Sequence, residues 1–258
     1  GAAAPPPAPP SGRRAQERLL CFFLFALVWS VGATVDGAGR LRFDAFLRQL
    51  LRKEQPELLS TPGAPQPELP KPPPDAKKFF PDKGSVFDYV VDLASGAPTW
   101  REWMSTQAAY AIGAAAKFHD IFVPTVESVQ GGYLIDVLVG AGVPLLLCGN
   151  TGTGKTILMQ DRLQHSLSAD AYQTISIAFS AQTSAVGTQS IIDSQLDTRR
   201  KGVYGPPYGK RVVVFIDDLN MPAPEEYGAQ PPIELMRQWM DHGGWYDLKD
   251  LSFRQIVD

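Results

Sequence analysis

The spacing of apolar positions divides the chain into blocks of different period. Residues 1–10, GAAAPPPAPP, have no period and hold five prolines. They cannot build a core, and residues 1–14 are expected to be a disordered lead-in. An apolar run follows at 19–31, and after it Phe43, Phe46, Leu47, Leu50 and Leu51 recur at i, i+3, i+4, i+7 and i+8. That is the stripe of an amphipathic helix, with Arg42, Arg48, Arg52 and Lys53 on or beside the wet face. With Gly37 and Gly39 as the turn, residues 15–54 predict a helical hairpin, too small to be stable alone. Residues 55–82 carry nine prolines and no period, which reads as a linker. Beyond it, 86–91 reads as a strand that 99–103 can pair across Ser95 and Gly96. From about residue 119 strand and helix patterns alternate, the signature of a parallel α/β sheet. The expected elements are strands at 144–148, 174–179 and 212–216 and helices at 157–167 and 188–196. A last helix is expected at 232–240, with Pro232 in its first turn, Gly243 past its end and a stripe of Ile233, Met236 and Met240.

Composition changes this picture at two points. Fourteen of the 23 prolines fall in the first 81 residues, so the front third is a different kind of chain from the rest. The net charge of −3 gives no sign of a nucleic-acid binder. The run at 19–31, preceded by Arg13, Arg14 and Arg18 and followed by Val31, Gly32 and Ala33, has the outline of a secretory signal peptide. It falls short of the roughly 20 residues that span a membrane. A second amphipathic helix beside it, and only two cysteines, Cys21 and Cys148, both inside apolar runs, favour a buried helix in a reducing compartment. Cys148, within an expected core strand, reads as inert. His119, His165 and His242 have no companions at metal-ligand spacing.

The chemistry is carried by Gly149, Asn150, Thr151, Gly152, Thr153, Gly154, Lys155 and Thr156, which match G-x-x-x-x-G-K-[ST] without a mismatch. The glycines let backbone N–H groups turn inward around phosphate oxygens. Lys155 supplies a point charge to the β- and γ-phosphates, and the Thr156 hydroxyl is a hard oxygen ligand suited to Mg²⁺. The helix expected after the loop turns its positive end to the phosphates. The apolar run at 212–216 ends in Asp217 and Asp218, a buried strand delivering carboxylates to its C-terminal edge. Asp217 is placed to hold Mg²⁺. Asp218 stands where hydrolytic P-loop ATPases usually carry a Glu that orients the attacking water. Between Lys155 and Asp217 there is room for a helix, a strand and a helix. A strand inserted between the two motif strands marks the additional-strand ATPases and argues against a small-molecule kinase.

The flanking residues carry a resemblance. Ser180-Ala181-Gln182-Thr183-Ser184-Ala185, the stretches at 191–197 and 199–207, and the block IDDLNMPAPEEYGAQPPIELMRQWMDHGGWYDLKD at 216–250 resemble the dynein heavy chains. Together they look like the third AAA+ module of an axonemal dynein. The stretches at 80–103 and 118–125 are similar to the beginning of that module, and LFALVWSVGATVDGAGRLRFDAFLRQLL is similar to the C-terminal helices of the second. The resemblance implies an α/β fold, the parallel sheet of a P-loop NTPase of the AAA+ type flanked by helices. It would be incomplete and preceded by a helical hairpin from the neighbouring module. The implied domains are 15–54 as the end of one module, 55–82 as the linker, and 83–258 as the large subdomain of the next.

The resemblance further implies an ATPase motor subunit that walks toward microtubule minus ends, with ATP or ADP and Mg²⁺ as cofactors. The third module of that family is regulatory. Val123, Pro124 and Thr125 match the segment lining its adenine pocket. Lys155 and Asp218 would act in catalysis, and Thr156 and Asp217 would hold the metal. The implied partners are adjacent AAA+ modules, the next one supplying an arginine finger in trans, microtubules through a stalk, and intermediate and light chains, with no nucleic acid and no membrane. The implied place is the cytoplasmic cytoskeleton of the ciliary or flagellar axoneme. Asp at 218 is one methylene shorter than Glu, and a 1 Å misplacement can cost on the order of 10²-fold, so slow hydrolysis is expected. The sensor strand, lid and arginine finger fall outside the sequence, so the chain alone is expected to bind nucleotide weakly and hydrolyse it barely. Two other readings stay open, a non-hydrolysing nucleotide-binding scaffold of a ciliary complex and an unrelated P-loop kinase.

Overall fold

The computed structural model describes residues 12–52, 79–94, 96–110 and 121–258. Most of the lead-in, nearly all of the proline-rich linker, and Phe118, His119 and Asp120 lie outside these residues. The chain forms two compact units, Gly1–Val126 and Glu127–Asp258.

In the first unit, helix α1 (Gly12–Ser30) and helix α2 (Gly37–Arg52) form the expected hairpin. The turn between them is a short 3-10 segment at Gly32–Thr34, not Gly37 and Gly39, which open α2. Asp36 caps α2 by accepting from the Gly39 N–H at 2.8 Å, so the turn glycines are inside a capped helix. Only one face of α1 is buried, through Cys21, Leu24 and Val28, while Leu19, Phe22 and Phe23 are exposed. The 21-residue stretch Arg14–Thr34 is long and apolar enough to cross a membrane by length and composition. The helix begins before the apolar run does, so run length does not exclude a span; packing of one face is what ties α1 to the fold.

Arg48 corrects the sequence reading of a wet face. Its side chain is only 13% exposed, and it donates to Asp44 Oδ1 at 3.0 Å, to the Pro81 carbonyl at 2.7 Å and to the Gly84 carbonyl at 3.1 Å. Asp44 Oδ1 also accepts from the Val86 N–H at 2.7 Å. These bonds fasten the stretch after the linker onto α2. Phe79, Phe80, Val86, Phe87 and Tyr89 then join Cys21, Leu24, Val28 and Leu47 in one core. Strand β1 (Tyr89–Asp92) pairs antiparallel with β2 (Thr99–Glu102), as the sequence predicts, and Trp103 seals the hairpin by donating from Nε1 to the Phe87 carbonyl at 2.8 Å. Among the described residues, 83–94 and 96–110 belong to the unit of the helical hairpin, not to that of the glycine-rich loop.

The second unit follows α3 (Val126–Gly140) and α4 (Lys155–His165) with β3 (Tyr172–Ala178), α5 (Ala185–Asp193), β4 (Asp197–Arg200) and β5 (Val203–Gly205). It closes with β6 (Arg211–Asp217), α6 (Pro231–His242), β7 (Gly244–Tyr246) and β8 (Phe253–Ile256). β3 and β6 are parallel neighbours, from Tyr172 beside Arg211 to Ala178 beside Asp217. A second, mixed sheet runs in the order β4-β5-β8-β7. Ile175, Ile177 and Phe179 share the core with Ile192, Leu235, Met236, Trp245 and Ile256. Trp245 is fully buried, packs edge-on to Trp239 at 5.2 Å and donates to Asp193 Oδ1 at 3.1 Å. Arg254 ties the same Asp193 at 3.1 Å to Asp247.

Three sequence readings change here. Residues 143–150 carry no regular secondary structure, and Leu145 and Leu146 are 37% and 67% exposed, so the strand expected at 144–148 is not formed. A parallel strand needs covered faces and paired edges; the β3–β6 sheet has two strands, and β6 is itself only half-buried. β3 lies directly beside β6, with no strand at 143–150 for it to separate from β6. Cys148 is exposed rather than locked in a core. On α6 the buried positions are Pro232, Leu235 and Met236, with Met240 62% exposed, because the core lies one position around from the expected stripe. On the β4–β5 hairpin the Arg199 side chain is 9% exposed, and its guanidinium stacks on the Tyr208 ring at 3.9 Å.

Candidate phosphate-binding site

The loop at 149–156 leads directly into α4, whose first residues are Lys155 and Thr156. Gly154 precedes the helix at φ +81, in the left-handed region, and Gly152 lies at φ +80; a side chain there would be strained. Thr153 stiffens the loop by donating to the Asn150 carbonyl at 2.8 Å. Lys155 Nζ folds back on the loop, donating to the Gly149 and Asn150 carbonyls at 2.8 and 2.7 Å and to Thr153 Oγ1 at 3.2 Å. The ammonium is thus held over the same loop whose N–H groups open at the positive end of α4.

Asp217 is the last residue of β6. Its carbonyl accepts from the Phe179 N–H at 3.0 Å, which anchors its backbone at the end of the sheet. Its Oδ1 accepts from the Thr156 hydroxyl at 3.1 Å. Two residues 61 positions apart are therefore in direct contact, one from each motif. Hydroxyl and carboxylate oxygens are the donor set a hard divalent cation takes, the remaining positions being filled by phosphate and water. Thr156 and Asp217 supply two such oxygens and would leave the remaining positions to a nucleotide and water. Such a cation would neutralise phosphate charge. Asp218 is exposed, at φ +52, and its N–H donates to Asp217 Oδ1 at 3.1 Å.

The packing behind α4 was not read from the sequence. Arg162 on α4 donates to Asp161 at 2.6 Å and reaches Asp136 of α3 at 3.5 Å. Burial pushes the Asp136 carboxyl up, with Arg162 opposing. A Cβ on Gly131 would stand 2.9 Å from the Leu158 side chain, so the helices approach closely there. The paired glycines in an otherwise apolar helix were the available signal. Val123, Pro124 and Thr125 immediately precede α3 and belong to the first compact unit, whereas the loop and Asp217 belong to the second.

A Gly-rich loop opening a helix, with an acid at the end of a parallel strand in contact with the loop threonine, defines an α/β P-loop NTPase. Comparison with known proteins narrows the class. Residues 110–258, more than half of the chain, match the family described as the P-loop containing dynein motor region. Residues 4–105 match the dynein heavy chain AAA lid domain. The chain belongs to the dynein heavy chain family. It is 44% identical over 260 residues to dynein axonemal heavy chain 1 of Homo sapiens, covering 95% of this chain and 6% of that protein. It is 43% identical over 237 residues to dynein axonemal heavy chain 12 of Mus musculus, covering 92% of this chain and 7% of that one. Dynein axonemal heavy chain 3 of Mus musculus is 44% identical over 243 residues, again covering 92% of this chain and 6% of the relative. The chain therefore spans about 6% of the length of these relatives. The two family matches meet between residues 105 and 110, so 83–105, grouped by sequence with the P-loop region, falls within the lid match. Membership of a P-loop family implies nucleotide binding.

Proposed function

We propose that this chain is the nucleotide-binding part of an AAA+ module in a minus-end-directed microtubule motor of cilia or flagella, acting as a slow, regulatory ATP site. The observation that carries it is the 3.1 Å contact between Thr156 Oγ1 and Asp217 Oδ1, which brings a metal-type donor pair to the mouth of the loop. Residues 149–156 cradle the phosphates of ATP or ADP, Lys155 meets the β- and γ-phosphates, and Thr156 and Asp217 hold Mg²⁺. Asp218 orients the attacking water. Residues 110–258 carry the large subdomain, 15–54 the end of the preceding module and 55–82 the joint.

The 44% identity to an axonemal heavy chain supports a place in the axoneme. It also supports adjacent AAA+ modules as partners, one supplying an arginine finger, with microtubules, intermediate chains and light chains beyond.

The test is equilibrium binding of ATP and ADP with Mg²⁺ to the chain and to its Lys155→Ala variant, followed by turnover in the assembled heavy chain. Loss of roughly tenfold or more in affinity on removing the ammonium is expected, and undiminished binding would sink the reading. Turnover that Asp218→Asn leaves unchanged would remove Asp218 from the water-orienting role. Binding with no turnover in the assembled heavy chain would favour the scaffold reading over the motor.

A further inference from the structure

The residue after Asp217 has a backbone conformation that its side-chain role does not require. Asp218 lies at φ +52, a region where Asp and Asn are several-fold enriched and where β-branched residues are outliers. In this conformation its N–H donates to Asp217 Oδ1 at 3.1 Å, the same oxygen that accepts from Thr156 Oγ1 at 3.1 Å. The flanking main chain is held on both sides. The Asp217 carbonyl accepts from the Phe179 N–H at 3.0 Å, and the Asp218 carbonyl accepts from the Met221 N–H at 3.0 Å. The Asp218 N–H shares its peptide plane with the Asp217 carbonyl, and with both ends held a residue unable to keep φ > 0 can relax only by turning that plane, which would carry the N–H away.

We propose that Asp218 is a positioning residue for Asp217: its tolerance of a left-handed backbone keeps the 217–218 peptide turned so that the Asp218 N–H meets Asp217 Oδ1 and holds that carboxylate against Thr156. Position 218 is then selected for its φ angle as well as for its carboxylate. This rests on the reading of Thr156 and Asp217 as the cation-holding pair. It also supplies a reason for Asp where hydrolytic relatives in the wider class carry Glu. Glu has the longer reach, but its side chain gives no local support to a left-handed residue, whereas the short polar chain of Asp or Asn does. Restoring the longer acid would therefore disorient Asp217 rather than speed the chemistry.

The experiment measures ADP affinity of the chain in Mg²⁺ and in EDTA, and takes the ratio for wild type, Asp218→Asn, Asp218→Gly, Asp218→Glu and Asp218→Val. Asn and Gly tolerate φ > 0 and are expected to keep the wild-type ratio within about twofold. Glu and Val are expected to lower it by roughly fivefold or more as the strained turn relaxes. A purely catalytic role for the side chain would leave all five ratios alike, and that result overturns the inference, as does a loss in Asn or Gly. Circular dichroism melts accompany each variant. If Val fails to fold, the split between Glu and Asn decides; if Glu fails too, Asp218→Ala against Asp218→Gly takes its place, a fall in Ala with retention in Gly supporting the inference and equal ratios overturning it. A wild-type chain whose ADP affinity ignores Mg²⁺ would instead defeat the cation-site reading itself, a different and distinguishable failure.

Discussion

Two apolar runs lead into the phosphate site, and they end differently. Val212, Val213, Val214, Phe215 and Ile216 lie in β6, paired residue by residue with β3, and deliver Asp217 to a defined place. Leu145, Leu146 and Leu147 are as apolar, yet they form no strand, and the first two are 37% and 67% exposed. Composition makes a strand possible; a neighbour with free N–H and C=O groups, and a covered face, make it form. The loop at 149–156 is consequently carried by the helix that follows it, through Lys155, Thr156 and the packing of α4 on Gly131, and not by the strand before it.

That contrast can be broken from the ordered side. Trp245→Ala, removing a fully buried ring from the core under β3, is expected to cost about 3–5 kcal/mol in denaturant unfolding. Ile177→Ala, in the strand that pairs with β6, is expected to cost about 2–5 kcal/mol. A loss below 1 kcal/mol for either would mean that this core does not hold the sheet.

The cysteines sharpen the contrast, since both belong to apolar runs but only Cys21 is buried. Burial pushes the Cys21 thiol up from 9.0 to about 11. Iodoacetamide at pH 8 should modify Cys148 first and Cys21 only on unfolding, as followed by intact-mass spectrometry. Between pH 9 and 11 the unfolded chain releases the Cys21 proton while the folded chain keeps it. This contribution to stability is therefore present below the unfolded value and falls as pH rises through that window. A thermal midpoint that fell as steeply for Cys21→Ala as for wild type across it would refute the assignment.

The smallest effect belongs to the unpaired run. Leu146→Ser is expected to change stability by no more than about 0.5 kcal/mol, because the side chain is already in water. A loss above 2 kcal/mol would show that the run is packed in solution.

Local patterns carried much of the description. The stripe on α2, the pairing of β1 with β2 and the glycine that ends α6 all follow from spacing and turn chemistry that act within a few residues. The loop glycines and Lys155 were legible because phosphate chemistry admits few alternatives at those positions. The inward turn of Arg48 was not legible. A basic residue near an apolar stripe reads as solvated until the carbonyls of Pro81 and Gly84, more than thirty positions away, arrive to accept from it. The same holds for Arg199, whose guanidinium stacks on Tyr208.

By itself the sequence determined the residue types of the candidate site: a glycine-rich loop, a hydroxyl and two carboxylates in a dynein-type chain. Tertiary structure decided which of these meet and in what posture. It set Thr156 against Asp217, put Asp218 in a left-handed turn, and left the run before the loop unpaired. The physical reason is range. Helix periodicity, capping and glycine placement are written in neighbouring residues. Ladder partners, buried guanidinium acceptors and carboxylate orientation depend on groups brought together only when the chain has folded.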